Sequence, residues 1–586
     1  MAGKPKAGFW VVVILVVLGL GGFALYKAGI LAPEGKKEVT GNISKDDLNN
    51  AKAGGDKAVA DGDKQALEAP DTNAPTTVKE YSFVAAAKLP EVKGTSNYQP
   101  MKENTIRFAL NVWAGWAPIV WANQGFKAGK EWTAPGGKKF KVELVLIDDP
   151  VAMRDAYATG NVHIGWATLD MVPLFIEQLR KDPRVMPRIY QQVDWSNGGD
   201  GIVARGGIEN IGGLRGKTIV LAQNSPSHYF VLNALINAGV QPSEVKFKFT
   251  QDAFQAAAAF NADKNISACV SWAPDIYNLS KIKGNKLLVS TETANKLIAD
   301  VWFARADFAN DHPAVVEGLV RGIFQAMEDL KDPNNKKKVA DMMGKGYSIP
   351  PTEAFEMLGD AHSTNYAENR EFFLNRNNPA NFERTWDTAY YLYKRIGQVT
   401  QKTAFDQVMD FSIIKKLGKE NKFAKQKDEY TVRFTPRSVT TIKAESGEIL
   451  TKTVVVHFFP NSWDLGMKVD KRINGKVLKV AYDPNVDFVL EEIGRLSGQY
   501  GAARIVIEGH TDNSMKGQVP FEAVRELSAR RAAAVKEALV KKFKSLQANQ
   551  FATQGMGWQQ AADAKDLNNH AKNRRVEVKV YPLEAQ

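Results

Sequence analysis

From Asn104 onward, short apolar runs alternate with helical stretches, and no other feature of this 586-residue chain constrains its fold as tightly. "TIRFALNV" reads as a strand and "APIVWANQGFKAG" as a helix; "FKVELVLID", "PVAMRDAYATG" and "VHIGWATL" repeat the cycle. The alternation resumes in "GIVAR", "TIVLAQ", the helix "HYFVLNALINAG", the strand "VKFKFT", the helix "DAFQAAAAFNAD" and the strand "ISACVSW". Strands of this length separated by helices predict an α/β fold with doubly wound sheets, whose ligands sit at the carboxyl ends of strands. Residues 310 to about 412 turn mainly helical.

The chain is too long for a single hydrophobic core and predicts several domains. Its one cysteine, Cys269, excludes an internal disulfide framework and any multi-cysteine metal site; in "ISACVSW" it reads as a small core residue. The net charge of +12 is spread along the chain, with basic runs in "NNKKKVADMMGKGY" and "IIKKLGKENKFAKQK" that read as solvated surface or linker. No basic-aromatic module for nucleic acid is present, and no cofactor motif. "IGGLRGKT" imitates a phosphate-binding loop, but the position that needs the first glycine is Ile211 and the segment precedes a strand instead of following one. The seven histidines are scattered, without His-Glu-x-x-His or Gly-x-Ser-x-Gly patterns, so neither an enzyme nor a metal site is expected.

The N-terminus, "MAGKPKAGFWVVVILVVLGLGGFALYKAGI", carries no charge from Phe9 to Tyr26, about enough to cross a bilayer with its flanks. Trp10 and Tyr26 stand where interfacial aromatics belong. An uncleaved transmembrane helix over 9–30, after a cytoplasmic stub at 1–8, is favoured over a cleaved signal peptide, because no small-x-small site follows the run. Residues 31–102 are poor in large apolar side chains and predict a disordered linker with a span of about 45 Å.

The α/β block, 103–412, resembles the periplasmic solute-binding proteins of ABC importers, in the type II branch that includes sulfonate, nitrate and thiamine-precursor binders. The resemblance rests on an ordered series: "NVWAGWAP", "AYATGNVHIGWATLDMVP", "VDWSNGGDGIVAR", "IGGLRGKTIVLAQNSPSHYFVLNALINAGV" and "ISACVSWAPDIY". It implies two lobes closing on a small solute, the second lobe near 202–285. It also implies a cleft lined by Trp113, Trp116, Thr168, Asp170, Ser196, Asp200, Ser225, Ser227, Trp272 and Asp275. "NSPSHYF" offers hydroxyls and free amides at a helix N-terminus, a natural seat for an anion, although the same serines serve equally as helix caps. The tryptophans suit either stacking on a ligand or a core. Asp194, Asp200 and Asp275 would oppose a highly charged anion, which leaves the charge of the ligand open.

A basic linker at 413–450 leads to a small C-terminal domain at 451–586. There "TKTVVVHFF", "RIVIEGH", "FATQGMG" and "NRRVEVKVY" read as strands, around helices at "PNVDFVLEEIGRLSGQYG" and "FEAVRELSARRAAAVKEALVKKF". Val486, Val489, Leu490 and Ile493 keep helical spacing, and Arg531 interrupts an apolar stripe running from Leu527 to Val535 and Ala538. "IEGHTDN", "LSARRAAAV", "GMG" and "NRRVEV" resemble, in order, the OmpA-like peptidoglycan-binding domain, a βαβαβ sandwich; the spacing from Asp512 to Arg531 is closer to flagellar-stator MotB-type members. The resemblance implies that Asp512 takes the ammonium and Arg531 the carboxylate of a diaminopimelate stem, with Thr511 and Arg574 as further contacts. Val524 departs from the asparagine usual in that family. On its own chemistry, Arg531 could instead pair with a carboxylate of the chain.

These features predict an inner-membrane protein with its bulk in the periplasm, bound to peptidoglycan and holding a small solute for import through an ABC permease or for sensing. The alternative is a stator-like or scaffold subunit beside a MotA/ExbB-like channel. Such stators need an ionisable residue in the membrane, and Phe9 to Tyr26 has none.

Overall fold

The computed structural model describes Glu68, Ser82, Phe83 and residues 88–583, apart from 474, 475, 563 and 568. The expected stub, membrane anchor and most of the linker lie outside the described residues; among the described residues no helix is long and apolar enough to cross a membrane.

The first lobe is a seven-stranded mixed sheet in the order β12-β5-β11-β4-β1-β3-β2. Its strands are β1 (Thr105–Leu110), β2 (Glu131–Thr133), β3 (Lys139–Leu146), β4 (Ile164–Thr168), β5 (Pro187–Ser196), β11 (Ala299–Arg305) and β12 (Ala361–Ser363). The second lobe is a five-stranded sheet in the order β10-β6-β9-β7-β8. It is built from β6 (Asp200–Arg205), β7 (Thr218–Ala222), β8 (Lys246–Thr250), β9 (Ala268–Trp272) and β10 (Asn285–Ser290). The chain crosses between lobes twice, at 197–199 and again at 291–298. β1, β3 and β4 run parallel, as do β7, β8 and β9, so the carboxyl ends of both parallel sets face one cleft. β5, β6, β10 and β11 pair antiparallel, so the sheets are mixed rather than wholly parallel.

Helix starts are set locally. Asp149 accepts from the amides of Val151 (2.7 Å) and Ala152 (2.9 Å) ahead of Pro150, and Asp252 accepts from Gln255 at 2.8 Å. "IGGL" is a single 3-10 turn, and Cys269 is fully buried, its thiol pushed up to about 12 by burial.

Two expected linkers need correction. Residues 96–99 already bond along the first lobe (Ser96 N–H to Ala158 O, 3.2 Å; Gln99 N–H to Gly160 O, 3.1 Å), and the Tyr98 ring packs edge-on against Phe308. Residues 413–450 are not a free spacer either. Helices Ser412–Leu417 and Asn421–Ala424 bury Ile413, Ile414, Leu417 and Phe423, and Val439–Glu445 packs Ile442 on the C-terminal sheet. A few apolar anchors outweigh the lysines that dominate the composition.

The C-terminal domain is a four-stranded sheet in the order β13-β18-β16-β17, with β13 (Leu450–Val454), β16 (Ala503–His510), β17 (Phe551–Gly557) and β18 (Val576–Pro582). A hairpin, β14 (Lys468–Ile473) and β15 (Lys476–Ala481), adds to the expected elements. Every residue of β16 is buried, as a strand between two neighbours under helix Phe521–Lys542 must be. Helix Val486–Gln499 packs against helices on both sides of the α/β unit. Its Glu491 pairs with Arg384 of helix Phe382–Arg395, its Arg495 donates to Thr388 at 3.3 Å, and its Gln499 accepts from Asn233 of helix Pro226–Asn237 at 3.2 Å.

Candidate functional site

The inter-lobe cleft encloses about 420 Å³. Of the residues anticipated from sequence, Trp113, Thr168, Asp200, Ser225 and Trp272 line it, each at or just beyond a strand end. Trp116, Asp170, Ser196, Ser227 and Asp275 are outside its lining. Trp116 is 1% exposed, packs on Phe108 and donates to Asn111 at 2.7 Å; it is core. Ser196 supports Asp200, donating to its carboxylate at 2.7 Å. Asp170 lies behind Thr168 and accepts from Tyr393 at 3.3 Å. Ser225 does not cap its helix: its hydroxyl donates back to Ala222 O at 2.9 Å.

Sequence reasoning missed Asp148, Asp149, Asp252 and Asp300, and the rings of Trp166 and Phe254. The signal available was position, since Asp148, Asp149 and Asp252 each follow a parallel strand directed at the cleft. Trp113 donates its indole N–H to both oxygens of Asp194 at 3.3 Å, which fixes the ring at the cleft wall. Burial pushes Asp170, Asp194 and Asp200 up to about 7, and drives Asp300, which also faces Asp194, Asp200 and Asp170, well above the usual carboxylate range.

The second site is on the C-terminal domain. A Cβ on Gly509 would lie 2.1 Å from Ser528 O, and one on Gly555 2.1 Å from Arg525 O, so these glycines let helix Phe521–Lys542 settle directly on β16 and β17. Ser528, fully buried, accepts from Gly557 N–H at 2.9 Å and locks that contact. Arg531, 2% exposed, is thereby held over the Phe458 ring, with Nε donating to Ser462 O at 2.9 Å. Asp512, beyond β16, pairs with Arg574 and accepts from Ser514 N–H at 2.6 Å; Thr511 beside it is buried. The four anticipated residues thus converge. Arg531 has a partner as well. Both its terminal nitrogens hold the carboxylate of Glu68 (Nη1 to Oε1, 2.8 Å), which is 2% exposed, 3.9 Å from Arg574, and accepts from Asn461 N–H at 3.0 Å. Val524 is packed at 1% exposure near Gly557, a hydrocarbon contact in place of a polar one.

Glu508, His510 and Glu577 also converge. Lys443 and Lys579 already hold Glu508, Arg575 holds Glu577, and burial pushes His510 down to about 3, leaving a neutral ring inside an ion-paired network.

Fold and site define a two-lobed α/β unit with a cleft at converging strand ends, joined to a smaller α/β domain that buries an Asp512–Arg574–Arg531 cluster. Family comparison agrees: residues 138–337 match the NMT1/THI5-like family and residues 477–575 the OmpA family, so the chain fuses one domain of each. It is 28% identical over 214 residues to the taurine-binding periplasmic protein of Escherichia coli, covering 35% of this chain and 64% of that one. It is 38% identical over 104 residues to the outer membrane protein Omp38 of Acinetobacter baumannii, covering 18% of this chain and 27% of that one. Among solved structures, the periplasmic aliphatic sulphonate binding protein of Escherichia coli aligns at 16% identity and a TM-score of 0.41, over 57% of this chain and 97% of that one.

Proposed function

We propose that this is a cell-envelope receptor: anchored in the inner membrane through residues 9–30, it holds a small solute in its cleft and grips the diaminopimelate stem of peptidoglycan through its C-terminal domain. The observation that carries the reading is the pairing of two unlike sites in one chain, a cavity at converging strand ends and an Asp512–Arg574–Arg531 cluster on an OmpA-family domain. Because helix Val486–Gln499 contacts both lobes, lobe closure would be transmitted to the wall-binding domain. That contact favours sensing over simple delivery to an ABC permease. It equally supports the second reading, an adaptor beside a MotA/ExbB-like channel. Purified protein should co-sediment with sacculi, and Asp512→Ala or Arg531→Ala should abolish this. Undiminished binding by both variants would reject the wall site.

A further inference from the structure

Among the described residues the cleft is lined by five aspartates, Asp148, Asp149, Asp200, Asp252 and Asp300, and by no lysine, arginine or histidine. Asp170 and Asp194 stand immediately behind. Among the described residues none of these seven carboxylates forms an ion pair with a basic side chain of the chain, although four of them are at most 4% exposed. Buried carboxylates are ordinarily paired, since an isolated buried charge costs several kcal/mol, roughly, even after relaxation. Thr168 is 4% exposed and lines the cavity, its hydroxyl bonded to the Asp170 carboxylate behind it. The remaining walls are aromatic: Trp113, Trp166, Phe254 and Trp272, with Phe254 and Trp272 edge to face at 6.3 Å.

From the carboxylate walls, the aromatic walls and the lack of any basic side chain, we infer that the cleft takes a compact organic cation, an amine or quaternary ammonium, rather than a sulfonate or other anion. Carboxylates supply the counter-charge, and aromatic faces attract the cation's polarised C–H and N–H groups. A sulfonate in the same place would lack a matching cation. The inference rests on the solute-binding reading.

The test is calorimetry on the full chain with choline, putrescine and spermidine against ethanesulfonate and taurine. At least one cation should bind, with ethanesulfonate silent. Asp300→Asn and, at the half-exposed cleft rim, Phe254→Ala should each weaken that cation at least tenfold while the thermal melt shows the fold retained. Binding of ethanesulfonate or taurine without any sulfur-free amine would overturn the inference and leave the solute-binding reading standing. Silence across both classes would overturn both.

A separate observation concerns Glu68. A two-point carboxylate grip by a buried guanidinium is the contact that a peptide-stem carboxylate would need, and Glu68 already holds it. The geometry points to Glu68 as an internal competitor for the wall ligand. Glu68→Gln should co-sediment with sacculi several-fold more tightly than the parent chain, and Arg531→Ala should cancel the gain. Equal or weaker binding by Glu68→Gln overturns the competition. No sacculus binding by either protein would also sink the wall-binding reading.

Discussion

The two sites handle buried charge in opposite ways. On the C-terminal domain Arg531 and Arg574 are matched by Glu68 and Asp512, so the cluster is electrically satisfied without a ligand. In the cleft the carboxylates face one another, with Asp360 and the Tyr393 hydroxyl nearby and no cationic side chain among the described residues. Satisfied charge rigidifies a site and makes an incoming ligand compete. Unpaired buried acids keep their protons in the empty site and must release them to meet a cation. One region resembles a closed grip, the other an open demand.

The most disruptive way to separate the regions is Gly509→Ala or Gly555→Ala. Each new Cβ would meet helix backbone rather than a movable side chain, so helix Phe521–Lys542 must lift from the sheet. The C-terminal domain should lose about 3 kcal/mol of stability. Sacculus binding should disappear while calorimetric binding in the cleft persists. Loss of both together would mean that the two regions fold as one unit.

Acidity probes the cleft through its buried carboxylates. Asp170, Asp194 and Asp200 hold protons to about pH 7 in the fold but release them near the ordinary 3.8 when unfolded. Between those values these three sites bind more protons in the native state, so their contribution to the stability of the ligand-free protein falls as pH rises toward 7, opposed below about pH 6.5 by the buried neutral His163, His228 and His510. A bound cation favours the ionised carboxylates, so its affinity should climb over the same range, by up to about tenfold per pH unit for each carboxylate that must ionise. Titrations at pH 5, 6 and 7 would show this, with proton release on binding. A flat profile would mean that these acids are not the counter-charge.

How far the sequence displayed these regions depends on what local pattern can carry. Strands such as "RIVIEGH" and "TIVLA" are legible because a β-branched run must be buried on both faces. The hairpin at 468–481 was hidden because "KVDKRI" and "KVLKVA" mix lysine and valine like a basic linker, and both strands stay largely exposed. Trp113, Asp200 and Trp272 could be placed by the order of motifs. Asp300 could not: it is the second residue of β11, whose partners β4 and β5 are more than a hundred residues away, and only their pairing brings it to Thr168 and Asp194. Glu68 was beyond reach for a sharper reason. Nothing in "QALEAP" differs from any other acidic tether, and its partner Arg531 is 463 positions distant.

The aromatic walls give a smaller effect. Trp272→Ala would remove a ring that a cation should feel, about 1–2 kcal/mol and hence a five- to thirtyfold loss of affinity for the cation found, with the melt nearly unchanged. Unaltered affinity would assign the selectivity to the carboxylates alone.

The smallest effect on binding is expected where the test asks whether the grip is pre-set by packing. Ser528 is fully buried, donates to Arg525 O at 2.8 Å and accepts from Gly557 N–H at 2.9 Å, tying the helix that carries Arg531 to the end of β17. Ser528→Ala leaves the Gly557 amide without that acceptor and should cost about 1–3 kcal/mol, read as a lowered midpoint in urea with an unchanged slope. Arg531 itself is untouched, so any loss of sacculus binding beyond the unfolded fraction would measure how much that grip depends on the helix being held in place. Binding that simply tracks the folded fraction would show that the ion pairs, not the serine lock, keep Arg531 in register.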